Sequence, residues 1–334
     1  MGIPMIRTRT LSLVLALVAC LIAVALAAPA RAVTYNATIL QPATFTNSQA
    51  FGISSSNQVG SGSGPSTGGL THALLWSGTP ASFVDLHPAD FFSSYSVGVS
   101  GANQVGYGSG LATGNNMHAM LWNGTAASVV DLNPATLDAS YALDISGTSQ
   151  VGYGFNDTDF QNHALLWSGS AASVIDLTPD GFSDAFANGV SGTAQAGYGY
   201  GMVTDFAAHA LLWTGTAASK VDLHPTGFVE SVANDVSGAT QVGWGRKTSA
   251  GNPMHALLWS GTAASAVDLN PTGYSNSVAV AVSGTKQVGN ASGTASSGLT
   301  HAMVWSGTAA SALDLHSFLP AGMFERIIRP GHHG

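Results

Sequence analysis

A segment of about 46 residues recurs six times in this chain. The pattern His-Ala-x-x-Trp recurs in steps of 45 or 46 residues, beginning at His72, His118, His163, His209, His255 and His301. An Asp follows each of these histidines thirteen residues later, at Asp85, Asp131, Asp176, Asp222, Asp268 and Asp314. A fixed period of this length is typical of repeat architectures, in which each copy is one supersecondary unit stacked on its neighbours.

Each repeat reads as a series of short strands. The copy at residues 94–134 contains β-prone runs at 94–100, 104–108, 118–122 and 128–132, separated by Gly, Asn, Ser and Pro. Such runs bounded by turn residues predict strands. No segment after residue 32 carries the sustained 3.6-residue apolar period of an amphipathic helix. We therefore predict an all-β protein. Four strands per repeat favour a β-propeller, with a β-solenoid as the alternative.

The ends of the repeat region bear on the number of blades. Residues 38–42 resemble the Val-Asp-Leu-x-Pro segment of the repeats, so they could add a strand that completes the last blade and closes the ring. Residues 315–320 resemble the linker towards another blade, which Arg329-Pro330-Gly331 then interrupts. We predict a propeller of six four-stranded blades at residues 33–324, followed by a C-terminal tail at 325–334. A seventh blade, shared between the termini and truncated, is the alternative.

The first 32 residues have the features of an export signal. Arg7 and Arg9 precede an almost wholly apolar run at 11–26, and Ala30-Arg31-Ala32 provides a small-x-small cleavage pattern. The sequence predicts a signal peptide at 1–32 and a secreted, extracellular or cell-surface bacterial protein with no membrane span after cleavage. Residues 17–20 also resemble a lipoprotein box, which would leave Cys20 acylated.

Composition excludes several functions. Cys20 is the only cysteine, so a chain cleaved after residue 32 would have no disulfide, thiolate metal site or cysteine nucleophile. All 17 acidic residues follow position 32, against six basic ones, and no basic patch is present to bind phosphates. Nucleic acid is therefore excluded as a partner. We predict no cofactor, a monomeric state, and an extracellular glycan or protein as the partner.

The repeated His and Asp permit two interpretations. They could form six metal or catalytic sites, or a buried hydrogen-bonded pair that links neighbouring strands in every blade. A buried carboxylate needs a partner, and an imidazole is a suitable one. An enzyme needs one site, whereas a scaffold needs its link in every copy. The repetition therefore favours a structural role for all twelve residues, and no metal site.

These residues also carry a family resemblance. His-Ala-Leu-Leu-Trp at 163–167, followed by Asp-Leu at 176–177, and Val-Ser-Gly and Gln-Val-Gly at 99–101 and 104–106, resemble the extracellular HAF repeat family of bacteria. The family pattern shows His-Ala-Phe, where this chain has Leu or Met as the third residue. The resemblance covers residues 34–320 and implies an exported repeat protein without established catalytic activity. Relatives often carry a C-terminal sorting segment, which this sequence lacks.

Function is expected where the copies differ. A Gln precedes each repeat His by thirteen or fourteen residues, at Gln58, Gln104, Gln150, Gln195, Gln241 and Gln287. Three residues after this Gln, four consecutive copies place an aromatic residue, at Tyr107, Tyr153, Tyr198 and Trp244. If exposed, these rings could stack on sugars and bind a ligand. Packing between blades is the simpler interpretation.

Residues unique to one copy are the candidates for catalysis or metal binding. Asp144 and Asp235 stand at positions where other copies have Gly or Ala, so they could form a glycan-cleaving pair of carboxylates in a central channel. Asn156, Asp157 and Asp159 offer oxygen ligands for calcium but lack a following ligand set, so a polar turn is favoured. No serine nucleophile elbow occurs in the required context. We therefore predict a non-enzymatic binding or structural module, with the channel carboxylates as the alternative.

Overall fold

The computed structural model of the chain describes residues 38–249 and 251–319. This part of the chain contains β-strands and short 3-10 helices but no α-helix. The all-β prediction is confirmed. The predicted signal peptide, Cys20 and the C-terminal tail lie outside the described residues. Among the described residues, no helix is long and apolar enough to cross a bilayer.

Each repeat forms one antiparallel sheet of four strands that pair in chain order, and we call these sheets blades 1 to 6. The strands are β1 (Asn47–Ser54), β2 (Asn57–Ser63), β3 (His72–Trp76), β4 (Val84–Asp85), β5 (Phe91–Ser100), β6 (Asn103–Gly110), β7 (His118–Trp122), β8 (Val130–Asp131), β9 (Ala139–Ser146), β10 (Ser149–Asn156), β11 (Gln161–Trp167), β12 (Ile175–Asp176), β13 (Phe182–Ser191), β14 (Ala194–Gly201), β15 (His209–Trp213), β16 (Val221–Asp222), β17 (Phe228–Ser237), β18 (Thr240–Lys247), β19 (Met254–Trp259), β20 (Val267–Asp268), β21 (Asn276–Ser283), β22 (Lys286–Ser292), β23 (Thr300–Trp305) and β24 (Leu313–Asp314). The 3-10 helices cover Pro65–Thr67, Pro80–Ser82, Leu111–Thr113, Ala126–Ser128, Ala171–Ser173, Met202–Thr204, Ala217–Ser219, Ala263–Ser265, Thr294–Ser296, Ala309–Ser311 and Leu315–Phe318.

The repeated glycines have two structural reasons. The Ser-Gly turn between the first and second strands needs a left-handed residue, and Gly147 has φ 59° there. The Gly of Gln-Val-Gly lies where two strands approach closely at a bulge. A Cβ atom on Gly152 would overlap the carbonyl oxygen of Tyr141 on the neighbouring strand. The close-approach glycine recurs in all six copies. The turn glycine recurs in five, and in blade 1 Ser55 takes the left-handed conformation with φ 54°.

The hydrophobic core lies between neighbouring blades. Trp167 of blade 3, for example, packs against Val105 and Leu132 of blade 2. The Trp that ends each His-Ala-x-x-Trp strand is no more than 1% exposed in all six copies. Full burial of a large apolar side chain is worth about 1.5–3 kcal/mol, so the six tryptophans together are a substantial contribution to the stability of the array.

The six blades surround a central channel, since one cavity there is lined by residues from every blade. The seam of this ring lies between blades 6 and 1. Within the described ranges no hydrogen bond or core cluster joins these two blades. Val288 on blade 6 is consequently 41% exposed, whereas the matching Val242 on blade 5 is fully buried. Six blades are thus present, and among the residues that the structure describes no strand is exchanged between the ends of the repeat array.

The expectation for residues 38–42 was wrong. They form no strand, and Leu40 instead packs against the Trp76 and Phe45 cluster of blade 1. The Gln41 side chain donates a hydrogen bond to the Phe45 carbonyl oxygen, as Asn133 does to Leu137 in the linker between blades 2 and 3. The segment therefore has the contacts of an interblade linker and covers the side of blade 1 that lacks a preceding blade.

Candidate functional site

All six predicted His–Asp pairs are present, each joining the third strand of a blade to its fourth. The His Nδ1 atom lies 2.6–2.8 Å from the Asp Oδ2 atom in every blade. The Asp Oδ1 atom accepts a backbone N–H two residues later, as His87 donates to Asp85. This backbone bond fixes the linker to the next blade. The geometry suits a structural link, and its contribution to stability stays a prediction.

The pairs differ from the expectation in their burial. The Asp side chains are 30–52% exposed, while the His side chains are 13–19% exposed. The two-residue fourth strands lie at the outer edge of each sheet, so they cannot bury their carboxylates. At Asp222, burial works to raise the pKa, but hydrogen bonds from His209 and the His224 backbone outweigh it and lower the pKa. Burial is likewise outweighed by hydrogen bonds at Asp268 and Asp314, whose pKa values are lowered. All six carboxylates face solvent on one side.

His87, His224 and His316 follow the Asp-Leu pair in only three copies, where the others have Asn or Thr, and this pattern predicts surface turn residues. That prediction was wrong. Each stacks on the repeat histidine of its blade, with ring centroids 3.7 Å apart for His87 on His72 and 4.0 Å apart in the other two pairs. Burial, followed by the charge of His72, lowers the pKa of His87. His87 Nδ1 also lies 2.8 Å from the Ser94 hydroxyl, which bonds the Ala73 backbone N–H.

Equivalent pockets lie beside the His–Asp pairs of blades 3, 5 and 6, and we call them rim pockets. Each is lined by the Asp and by the Leu or Met two residues after the repeat His. Two further lining positions have an equivalent in every blade, and we call them the anchor and the wall. The anchor residue lies at the start of the first strand of the blade or two positions before it, and it packs on the core. The anchors are Phe45, Phe91, Leu137, Phe182, Phe228 and Tyr274. The wall residue stands two positions before the Asp: Phe83, Val129, Val174, Lys220, Ala266 and Ala312. Every rim pocket thus combines an apolar floor with one carboxylate.

The central cavity has a volume of about 420 Å³ and contains both single-copy acids. Asp144 lies on β9 and Asp235 on β17, and both carboxylates are used between blades. Asp144 accepts the Val190 N–H of blade 4 at 2.8 Å, and Asp235 accepts the Val282 N–H of blade 6 at 2.7 Å. Sequence reasoning placed these acids together correctly but did not foresee that each bonds the backbone of the next blade.

The environment of these acids favours their neutral forms. Burial raises the pKa of Asp144 to about 7, the Val190 hydrogen bond opposes this, and the nearby Asp235 adds to it. Burial likewise raises the pKa of Asp235. A carboxyl group with a pKa near neutrality is able to donate a proton, as a general acid must. The cavity therefore has one element of a hydrolytic site.

Three of the predicted ligand-binding aromatics belong to a continuous ladder of rings. It runs through blades 2, 3 and 4, with neighbouring centroids 4.7–5.1 Å apart, in the order Tyr95, Tyr107, Tyr141, Tyr153, Phe186 and Tyr198. All are half-buried. Burial and the neighbouring tyrosines raise the pKa of Tyr153 to about 12. Trp244 lies in blade 5, where the Arg246 guanidinium stands 5.9 Å from its ring centroid. The ladder joins blades by their rings, and whether its open edge binds a ligand stays a prediction.

The Asn156–Asp159 loop forms a hydrogen-bonded turn. Asn156 Oδ1 accepts the Thr158 N–H, and Asp159 Oδ1 accepts the Gln161 N–H. Asp159 Oδ2 also lies 3.0 Å from His163 Nε2, so this histidine has a carboxylate on each side. No group of three or more potential ligand side chains lies together within residues 38–249 and 251–319.

Sequence reasoning recorded the repeated Gln without giving it a role. Gln104 is fully buried; its Oε1 accepts the Gly124 N–H after the Trp strand, and its Nε2 donates to the Ala102 carbonyl. The bond accepted by Oε1 recurs in all six copies. The bond donated by Nε2 recurs in blades 1 to 5. The presence of this Gln in all six repeats could have predicted its buried role, because a polar residue kept in every copy of one chain has the same structural task in each.

Solved β-propellers resemble this fold at low sequence identity. The propeller domain of the Trilobed protease from Pyrococcus furiosus, which has an open velcro topology, is 8% identical, with a TM-score of 0.52 over 81% of this chain and 83% of that one. TolB from Acinetobacter baumannii is 11% identical, with a TM-score of 0.43 over 72% of this chain and 62% of that one. A puromycin-hydrolysing peptidase from Mycobacterium tuberculosis is 11% identical, with a TM-score of 0.42 over 85% of this chain and 56% of that one.

At these identities the likeness shows the β-propeller fold alone, and it rests on the first of the three structures. No protein-family model matches the chain, and no curated protein does. The resemblance to the HAF repeat family therefore stays a prediction.

Proposed function

We propose that this chain is an exported, non-enzymatic binding scaffold that presents recognition sites around a β-propeller to an extracellular glycan or protein. The observation that carries the proposal is the recurrence of the rim pocket, with one carboxyl group beside an apolar anchor, at equivalent positions of different blades. Repeated sites on one rigid body favour multivalent binding, in which a second contact benefits from the first. Catalysis requires only one site.

The hydrogen bonds of the channel acids also support a non-enzymatic role. Each carboxylate accepts a backbone N–H from the following blade, so it has a structural task that does not need a substrate. Removing the acceptor would leave a buried N–H without a partner, which costs about 1–3 kcal/mol.

A glycan-cleaving enzyme is the second candidate. It is favoured by one observation, that Asp144 and Asp235 share a cavity and that Asp144 has a pKa of about 7. In that reaction the protonated Asp144 would donate its proton to the leaving glycosidic oxygen, and the second carboxylate would assist attack on the sugar.

One experiment separates the two functions. Residues 33–334 are applied to a glycan array and to extracellular matrix proteins, and bound glycans are analysed for cleavage by mass spectrometry. The matched variant is Asp144→Asn/Asp235→Asn, which keeps an acceptor oxygen at each position. We expect equal binding by parent and variant, with no cleavage product. Products that appear with the parent and vanish with a folded variant would overturn the non-enzymatic proposal, as would the absence of all binding.

A further inference from the structure

The wall residue decides how open each rim pocket is. In blade 3, where the wall is Val174, the pocket has a volume of about 170 Å³. In blades 5 and 6 the wall is an alanine, and the volumes are about 520 and 510 Å³. In blade 1 the Phe83 ring packs edge-on against the anchor Phe45, with centroids 5.3 Å apart. The blades therefore differ in what stands over the anchor residue.

In blades 4 and 5 an ammonium group of the chain itself stands over the anchor ring. Lys220 is the wall residue of blade 4, and its Nζ atom lies 5.1 Å from the centroid of Phe182. Lys247 reaches the blade 5 pocket from the end of β18, with its Nζ atom 4.7 Å from the centroid of Phe228 and 3.1 Å from Asp268 Oδ2. Two lysines from different positions thus make the same contact. An aromatic face beside a carboxylate attracts an ammonium group through both its quadrupole and its charge.

Blade 6 has the same aromatic and carboxylate groups without a lysine of its own. The residue that matches Lys220 is Ala312, and the one that matches Lys247 is Gly293. The pocket keeps the aromatic anchor Tyr274 and the carboxylate of Asp314, whose side chain is 30% exposed. It is the counterpart of the blade 5 pocket, of nearly the same volume, without an ammonium group of the chain itself.

Asp314 has capacity for a further donor. Its Oδ2 atom accepts from His301 Nδ1 at 2.6 Å and from the Tyr274 hydroxyl at 3.0 Å, and its Oδ1 atom accepts the His316 N–H at 2.8 Å. These are three bonds, whereas a carboxylate offers about four lone-pair positions. The remaining position is on Oδ1, and Asp314 lines the pocket.

From these contacts we propose that the rim pocket of blade 6 binds a primary alkylammonium group, the side chain of a lysine on a protein partner. The proposal deepens the proposed binding function and rests on it. The ammonium group lies over the Tyr274 ring and donates to Asp314, while the lysine methylenes pack on Ala309 and Ala312. The net negative charge of the chain, with 17 acidic residues against 9 basic ones, also favours a cationic partner.

The test is a nuclear magnetic resonance titration of residues 33–334 with Nα-acetyl-lysine methylamide, following the backbone amide shifts of blades 5 and 6. The Nε-acetylated form of the same probe is the uncharged control. We expect saturable shifts at Ala312 with the charged probe and none with the acetylated one. No shift in blade 6, or equal shifts with both probes, would overturn the proposal.

Two variants give the stoichiometry. Ala312→Lys copies the lysine of blade 4 into blade 6 and should abolish the blade 6 shifts. Lys247→Ala removes the internal ammonium of blade 5 and should add a second saturable site at Ala266. A folding defect could explain the loss of shifts in Ala312→Lys. It could not explain the gain of a binding site in Lys247→Ala, so the two variants together distinguish binding from misfolding. Unchanged shifts in both folded variants would contradict the proposal. Retention of array binding by a parent that gives no lysine shifts would reject this inference alone and leave the proposed function standing.

Discussion

Replacement of Asp144 by Asn should stabilise the protein at high pH. The pKa of Asp144 in the folded protein is about 7, against 3.8 for an unperturbed aspartate, because burial opposes the charged form. The folded state therefore holds a proton that the unfolded state releases between these two values. The contribution of Asp144 to the free energy of unfolding is fully present below pH 3.8 and is lost as the pH rises towards 7. A shift of about three pH units corresponds to a loss of about 4 kcal/mol.

The Asn side chain does not ionise and keeps an acceptor for the Val190 N–H. Asp144→Asn and the parent should therefore have similar free energies of unfolding at pH 4. At pH 8 the variant should be more stable by about 2–4 kcal/mol. Urea denaturation at both pH values, followed by tryptophan fluorescence, measures the difference, since the six repeat tryptophans are almost fully buried.

The control is Asp222→Asn, because its pKa is lowered in the folded protein. The ionised form of Asp222 stabilises the fold above pH 3.8, so this variant should lose more stability at pH 8 than at pH 4. If Asp144→Asn were instead destabilised by the same amount at both pH values, the carboxylate would act as an ionised link, and the argument from burial would be refuted.

Three further predictions concern stability and binding. Val242→Ala should lower the free energy of unfolding by about 2 kcal/mol, whereas Val288→Ala should change it by less than about 0.5 kcal/mol, because only Val242 is buried; chemical denaturation compares the two. His163→Ala should cost about 1–2 kcal/mol through its lost carboxylate bonds, without selective loss of array binding by the folded variant. Tyr153→Ala should lower the melting temperature by breaking the aromatic ladder, and loss of glycan binding at an unchanged melting temperature would show a ligand surface instead.

The sequence by itself determined the repeating unit and the pairing within it. The spacing of His72 and Asp85 predicted their contact, because a side chain repeated in every copy must satisfy the same local geometry each time. The turn glycines and the buried Trp76 follow from the same reasoning, since strands and hairpins are set by neighbours along the chain. The six blades were predictable for that reason.

Only the tertiary structure decided what lies between blades and at the seam. Nothing local marks Val288 as exposed and Val242 as buried, because the difference depends on whether a following blade packs against that face. Likewise, Asp144 and Val190 lie 46 residues apart, and their contact exists only because the repeats stack around an axis. Contacts that pass from one repeat to the next depend on how the blades are placed around the ring, and no periodicity within one repeat specifies them.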